Sequence, residues 1–564
     1  MSLRSHLLKA KADASRLADQ LRAGNTVDEL ALTGLQEEAK AAHDAAHDPM
    51  WTAASYLPII GRSLKTPRGL ADALDTLSQD ALPPTVNAAN QLNVVRGKSL
   101  SQGLPVATLK GAAPQLDVAA LQMDAAVLHV EALPHSLLAP GLSAPYRDAL
   151  AQLRDLTKSV HTAADATTIA PGILGADGPR RYFIAFVNPA EARAGAGAGL
   201  FGAYAIVTAN NGKLHTETVG ADTDLPDLKT PPTGIPADFV NRYRDLGGDT
   251  TWISSNLSPH FPYDAAAWAA MYEQVAGIHI DGVAALDPVA LSVLLKGQSP
   301  LVLPGLGTIT SANVVRFIEH DEYSLPLTPS QRKGVLKDIA KAAAERIEHG
   351  SIPVSRILPD LAKASDDGHL DAFSLHPQEQ WRIAKYPVAG VLPESHRPFA
   401  AAYVTNASSG KLEYYLRSSL TYADMSCHGR QQQTVVTVTL NNTAPSSGLS
   451  DYVTARLDDP DYRVVPGQVR ETLDVLTTQG GTVVAATLDG KDVLTSPADE
   501  SDHSQLSTDM SERGHPVAEM SLELRPSQTR TLRLIITATR SSQRPLLMRQ
   551  PLPRGQTVQT LKAC

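Results

Sequence analysis

Asn188, Glu191 and Arg193 follow one another within six positions, directly after an apolar run from Tyr182 to Val187. Polar groups at the exit of a buried strand cost free energy unless they find partners or a ligand. Two readings follow. Either Glu191 bridges to Arg193 or Arg332 and holds the loop, or Arg193 takes an anion or a sugar while Glu191 acts on a hydroxyl or a metal ion. Asp222 and Asp224 are the next candidate carboxylates, as metal ligands or as solvated loop acids. Asp281 and Asp287 bracket a second apolar run. Asp287 stands at its C-terminal end, where α/β sheets place ligands, and Asp281 at the start is expected to be structural. Trp252 and Asn256 lie in a proline-punctuated loop and are candidate sugar contacts, with core packing as the alternative for the indole. Trp268, on a helix face, is expected in the core.

Two familiar chemistries are not supported. Ser254, Ser255 and Ser258 have no nearby histidine and aspartate set for a hydrolase triad. Gly197-Ala198-Gly199-Leu200-Phe201-Gly202 matches GxGxxG in letters, but Ala203–Thr208 reads as a strand. A dinucleotide site needs a helix there, whose N-terminus meets the phosphate. The glycines are expected instead to let backbone segments or a ligand approach closely.

The elements that must hold these residues are legible in outline. After the apolar strand and the glycine turn, Asn211-Gly212 marks a hairpin, with Lys213–Val219 as its return strand. Short helices are expected over 237–245, 264–276 (with Asp264 as N-cap) and 289–296, and a buried strand over 278–286. Ser311 is expected to cap a helix running to His320, and Pro329-Ser330 opens a last helix carrying Arg332, Lys333 and Lys337. Such alternation argues an α/β layer fold. Before residue 176 the chain reads as alanine-rich helices, with a loose stripe of Leu7, Leu8, Ala12, Leu17 and Leu21. The apolar segment from Pro49 to Leu64 reads as a packing staple. Beyond 366, alternating runs at 399–403, 411–416, 433–441, 473–477, 482–488, 517–524 and 529–537 point to an antiparallel sandwich, with 497–515 as an exposed loop.

At 564 residues the chain has length for three or four domains of roughly 150 residues each. Its formal charge of −9 argues against nucleic acid as a partner. The two cysteines, Cys427 and Cys564, are expected to form a disulfide that pins the C-terminus, which implies an oxidising, extracytoplasmic compartment. No run of about 20 apolar residues is present. The abrupt start inside a helical pattern, MSLRSHLLKA, carries the expectation of an N-terminal membrane anchor ahead of it.

The order of motifs resembles the LytR–CpsA–Psr cell-wall transferases and, more closely, an actinobacterial group catalogued as a domain of unknown function. The motifs are Asn188–Glu191–Arg193, the glycine turn Gly195–Gly202, the run Ile280-Asp281-Gly282-Val283-Ala284-Ala285-Leu286-Asp287-Pro288, Asn313-Val314-Val315 and Arg332. Likeness to the closer group spans most of the chain, and likeness to the transferases about residues 180–350. The transferases grip a polyprenyl pyrophosphate with arginines and use a carboxylate with Mg2+. The resemblance therefore implies phosphate binding by Arg193 and Arg332 and a Mg2+ cofactor at Asp222 or Asp224. Asn188 stands where the transferases carry an acid, and Gly220-Ala221-Asp222 where they carry an arginine-aspartate pair.

The expectation is thus a multidomain α+β chain: a helical membrane-proximal region (1–175), a central α/β layered domain similar to the LytR–CpsA–Psr fold (176–365) and a β-sandwich (366–564). The expected function is extracytoplasmic work on actinobacterial cell-envelope glycans, as transfer from a lipid-linked donor. Two rivals remain open. One is a glycoside hydrolase or transglycosylase using Glu191 with Asp224 or Asp287. The other is a non-catalytic glycan-binding scaffold.

Overall fold

The computed structural model describes residues 3–23, 26–49, 60–133, 143–426, 429–456, 458, 465–495 and 506–562. Cys427 and Cys564, and so the expected disulfide, lie outside these residues, as do positions 50–59 of the apolar segment. The chain divides into two compact units. One is Met1–Pro179 with Ala209–Leu214 and Pro353–Ser355; the other is Arg180–Thr208, His215–Ile352 and Arg356–Cys564. The α/β and β-rich parts, expected as separate domains, fall into one unit.

The first unit is helical: α1 (Leu3–Ala23), α2 (Glu29–Ala46), α3 (Ile60–Thr76), α4 (Leu82–Arg96), α5 (Val106–Glu131) and α6 (Ser143–Ile173). Asp28 caps α2, accepting from the Leu30 N–H at 3.0 Å. A π-helical turn, Leu77–Ala81, runs straight into α4, and Pro83 and Pro84 stand just after it. The core joins Leu17, Leu35, Val86, Leu116, Met123 and Val160 with many alanines, whose small side chains bring the helices close. Among the described residues no helix is long and apolar enough to cross a membrane.

The second unit opens with a five-stranded sheet in the order β3-β2-β1-β4-β7, from β1 (Arg180–Ala192), β2 (Gly199–Asn210), β3 (Lys213–Ala221), β4 (Gly282–Leu286) and β7 (Leu370–Ser374). Between β4 and β7 the chain makes a small two-stranded sheet, β5 (Leu301–Leu303) with β6 (Gly307–Ile309). β1 and β4 run parallel with Tyr182 opposite Gly282, while β4 and β7 are antiparallel. β7 carries this sheet past residue 366. The hairpin turn at Asn211-Gly212 is as expected, both residues having positive φ. The strand expected over 278–286 pairs only from Gly282. Asp281 just before it accepts from the Arg181 N–H at 2.8 Å and meets Arg180 and His376, so it is structural.

The unit also holds helices α7 (Ala237–Tyr243), α8 (Phe261–Ala276), α9 (Pro288–Leu294), α10 (Val314–Glu319), α11 (Pro329–His349), α12 (Val354–Asp366) and α13 (Pro377–Ile383), and some of them flank the two faces of this sheet. α8 starts three residues before Asp264, which is fully buried and accepts from the Ser258 and Ala196 N–H groups rather than capping the helix. α10 begins after Asn313, not Ser311. Phe183, on one face of β1, packs with Phe201, Trp252, Trp268 and Tyr272. Phe186 and Asn188, on the other, face residues of α9 and α11.

The remaining strands form two sheets. One is β13-β12-β16-β10-β9-β18, the other β14-β15-β11-β8-β17. They are β8 (Phe399–Asn406), β9 (Leu416–Ser426), β10 (Gln431–Asn442), β11 (Val469–Thr477), β12 (Thr482–Leu488), β13 (Lys491–Asp492), β14 (Leu506–Glu512), β15 (His515–Leu524), β16 (Thr529–Thr539), β17 (Leu546–Met548) and β18 (Gln556–Lys562). Leu420, Val436, Leu473, Met520 and Leu534 come from both sheets into one core, the layering expected of a sandwich. Three details differ from expectation. β17 pairs with β8, and β18 with β9, in parallel, so the sheets are not purely antiparallel. Lys411–Leu416 is a loop and a short turn leading into β9. Residues 506–512 of the supposed loop are β14.

Candidate functional site

β1 is central in its sheet and loses solvent on both faces from Pro189 onward, so its last residues carry their polar groups into the interior. Glu191, 4% exposed, meets Arg193 Nη2 at 3.3 Å through one oxygen and the Lys411 ammonium through the other. Arg193 also donates to the backbone carbonyls of Ala192 and Ile253. The expected bridge from Glu191 to Arg193 is present, and a lysine from the loop after β8 completes it. Asn188 donates to Tyr323 Oη at 2.7 Å and to the Ile318 carbonyl at 3.3 Å. Gly199 explains the glycine turn: a Cβ there would stand 2.3 Å from the Asn188 carbonyl carbon. Asn256, fully buried, donates from its amide to the Gly199 carbonyl at 2.7 Å and fixes the same turn. It is a brace for the loop, not a sugar contact. Trp252 is also no stacking platform: it is 1% exposed, donates to the Pro226 carbonyl and belongs to the aromatic core.

The remaining acids are each committed. Asp287 caps α9 with one oxygen, accepting from Val289 and Ala290 N–H at 2.8 and 3.0 Å, and holds His369 Nδ1 at 2.5 Å with the other. Asp222, buried, is 2.7 Å from the Lys333 ammonium, and half-exposed Asp224 is 2.7 Å from that of Lys337. Lysines four apart on α11 thus answer two aspartates two apart on the turn after β3. This donor set does not fit Mg2+: each carboxylate already faces an ammonium, and hard cations need such oxygens free.

Arg332, 4% exposed, spends its guanidinium on the carbonyls of Glu322, Tyr323 and Leu325 and lies over the Tyr452 ring at 4.9 Å. It clamps the turn before α11, so its expected role as a phosphate hand is not the one it performs. Beside it a small polar cleft is lined by Asn188, Glu191, Glu322, Lys333, Lys411 and Tyr452. Sharing Asn188, Gly202 and Leu336 with it is a small cavity lined by Phe186, Leu286, Leu291, Ile318, Ile339 and other apolar groups.

Electrostatics separate the groups of the cleft. Burial pushes the Glu322 carboxyl up to about 8, against the pull of Arg332, Lys411 and Lys333. It is 1% exposed, and its Oε2 has no hydrogen-bond partner among the described residues. Burial also raises Asp222, with Lys333 opposing. Behind Arg193, Glu413 and Glu471 are both fully buried. Burial holds both above the usual carboxylate range, and the neighbouring Glu413 carboxyl raises Glu471 further. With Glu322 neutral, Arg332, Lys333 and Lys411 outweigh Glu191 and Asp222, and the cleft is cationic near neutral pH.

Lys333, Lys411, Glu322 and Tyr452 were not singled out from sequence as site residues. The i, i+4 spacing of Lys333 and Lys337 was a usable signal. Lys411 lies in a Ser-Ser-Gly-Lys loop and Glu322 in a polar turn, and nothing local marks either.

Residues 177–323 match the domain family described as “Protein of unknown function (DUF4012)”. That stretch holds β1 to α10, with Asn188, Glu191, Arg193, Asp222, Asp287 and Glu322. Arg332, Lys333 and Lys411 stand outside it. No curated protein matches the chain. A solved structure from Legionella pneumophila, described as a candidate nutrient-binding protein, aligns at 6% identity over 25% of this chain and 44% of that one, with a TM-score of 0.16. A likeness that slight does not indicate a shared fold.

Proposed function

We propose that the second unit binds a lipid-linked, phosphate-bearing glycan of the cell envelope, on the extracytoplasmic side, as the likeness of its α/β part to LytR–CpsA–Psr transferases implies. One observation carries this reading: an apolar cavity and a cationic cleft adjoin at Asn188, Gly202 and Leu336. A phosphate meets the ammonium groups of Lys333 and Lys411, and the first carbons of the lipid enter between β1, β4 and α11. Arg193 and Arg332 support the site from behind, one through Glu191 and the other through the turn at Glu322.

A second reading, glycan transfer from the bound lipid, is favoured by Glu322. As an acceptor hydroxyl bonds to the sugar and gives up its proton, a carboxyl that keeps its own proton to about pH 8 in a cationic cleft suits donation to the phosphate oxygen whose bond to the sugar breaks. Hydrolysis by Glu191 with Asp224 or Asp287 has no such support, because Glu191 is locked between two cations and Asp287 spends both oxygens on α9 and His369.

The test is binding of decaprenyl phosphate and of the uncharged decaprenol, in detergent, to the full chain and to Lys333→Gln. The phosphate is expected to bind at least tenfold more tightly than the alcohol, and Lys333→Gln to lose most of that difference. EDTA is expected to change neither affinity. Equal binding of the two lipids, or an unchanged preference in Lys333→Gln, refutes the reading.

A further inference from the structure

The helical unit contains a cluster that the reading above does not use. His43 is in the last turn of α2 and His47, four residues on, is its C-cap, so the two imidazoles lie side by side at the end of the helix. The rings stack with centroids 4.1 Å apart and planes 26° apart. Asp72 of α3 meets them: its Oδ1 is 3.6 Å from His43 Nε2 and 3.6 Å from His47 Nε2. These distances are too long for hydrogen bonds, and Asp72 Oδ1 is a buried oxygen without a hydrogen-bond partner among the described residues. They are, however, close to what three ligands of one ion require. Tetrahedral bonds of about 2.1 Å set ligand atoms roughly 3.4 Å apart. The three ligand atoms all lie within 4.8 Å of one another.

The far sides of both rings are also held. His47 Nδ1 is 2.9 Å from the His43 carbonyl, and His43 Nδ1 is 3.5 Å from Asp44 Oδ1. These acceptors place the ring protons on Nδ1 and leave both Nε2 atoms, each 3.6 Å from Asp72 Oδ1, as acceptors. A backbone carbonyl or carboxylate behind the ring is the usual support of a metal-binding histidine. The imidazoles are 35% and 31% exposed, so water can reach a fourth position. Arg68 Nε lies 3.1 Å from His47 Nε2 and competes, so it has to withdraw for an ion to enter.

We propose that His43, His47 and Asp72 bind a borderline divalent cation, with Zn2+ the best match, and that the ion ties α2 to α3. Two imidazoles and one carboxylate suit Zn2+ rather than Mg2+ or Ca2+, which take all-oxygen shells. The site is independent of the cleft in the second unit, and so is its test.

The experiment is calorimetric titration of ZnCl2 into the full, untagged, chelator-stripped chain, with Co2+ absorption as a second readout. The chain has 17 histidines, so the variants must show which ones bind. One tight Zn2+ per chain is expected, with Co2+ giving the intense visible bands of a four-coordinate ion. Asp72→Asn, which keeps the shape, and His43→Ala should each weaken binding about tenfold or more. Arg68→Ala should tighten it. A chain that takes up no Zn2+, or one whose binding is unchanged in Asp72→Asn and His43→Ala, overturns the proposal, and weaker binding in Arg68→Ala counts against it. Circular dichroism identifies a variant that fails to fold, and Arg68→Ala then supplies the deciding titration.

Discussion

The two units handle charge in opposite ways. The helical unit closes around alanine and leucine and leaves its ion pairs on partly exposed faces, as with Lys110 and Asp177 at 49% and 73% exposure. The second unit draws Glu191, Arg193, Asp222, Asp264, Asp287, Glu322, Arg332, Glu413 and Glu471 into its interior. Partners there come from distant parts of the chain: Glu191 with Lys411, Asp222 with Lys333, Asp287 with His369. The lesson is energetic. A surface pair contributes little when intact and costs little when broken, but a buried charge left alone costs several kcal/mol. The second unit should therefore respond to pH and to single charge removals far more than the first.

The largest expected effect is at Lys411. Lys411→Met leaves Glu191 in a dry site with Arg193 alone, and breaking a buried pair in this way costs about 3–5 kcal/mol. Urea unfolding should show that loss, and the double variant with Glu191→Gln should recover much of it, because no orphaned charge then remains. Lys110→Met in the helical unit should cost no more than about 1 kcal/mol. Equal losses for the two lysines would remove the contrast.

A smaller effect is expected from pH. Burial raises Glu322 and Glu319 to about 8 and Asp371 to about 7, so between the ordinary carboxylate range and these values the folded chain holds protons that the unfolded chain has lost. Stability therefore falls as pH rises through that window. His369 acts in the same sense. Burial alone would lower it, but Asp287 and neighbouring acids leave it raised, and its contribution is lost as pH climbs past the folded value. His260 opposes below its unfolded value, since burial lowers it to about 3 and acid must charge it on unfolding. From about pH 6.5 to 8 the His260 contribution has levelled off and the others agree. The thermal midpoint of the second unit should be lower at pH 8 than at pH 6.5, while that of the helical unit should move little. Scanning calorimetry at the two pH values reads both.

What the sequence made legible follows the same division. Helical periodicity and alternating strands depend on neighbours, so α2, α5, α8, α11, β1, β12 and the hairpin at Asn211-Gly212 could be placed from local pattern. The Glu191–Arg193 bridge was also within reach, both residues being in one segment. Asp222 and Asp224 were visible as acids but not as lysine partners, because Lys333 and Lys337 lie over a hundred positions away. Trp252 was ambiguous, since an indole in a loop serves a core as well as a ligand and only the tertiary contacts with Phe183 and Phe201 decide it. Asp264 misled for a related reason. An acid at a helix start normally caps it, but here the helix begins earlier and the carboxylate turns to the backbone of Ser258 and Ala196. Parallel pairing of β17 and β18 leaves no mark in a period-2 pattern at all.

The smallest expected effect tests the aspartates at the turn after β3. Asp224 and Lys337 are 44% and 41% exposed, so although the Lys337 hydrogen bond lowers the Asp224 carboxyl, solvent screens most of what the pair contributes. Asp224→Asn should cost under about 1 kcal/mol at low ionic strength and nothing measurable in high salt. Asp222→Asn is the informative comparison. Its carboxylate is buried against Lys333, so losing the charge alters the cleft itself, and decaprenyl phosphate should bind more tightly once Lys333 is released from its internal partner. If instead both aspartate variants abolished lipid-phosphate binding while leaving unfolding unchanged, the two acids would be acting on the ligand. Their assignment as partners of Lys333 and Lys337 would then fail, and a metal between carboxylates and phosphate would be the better account.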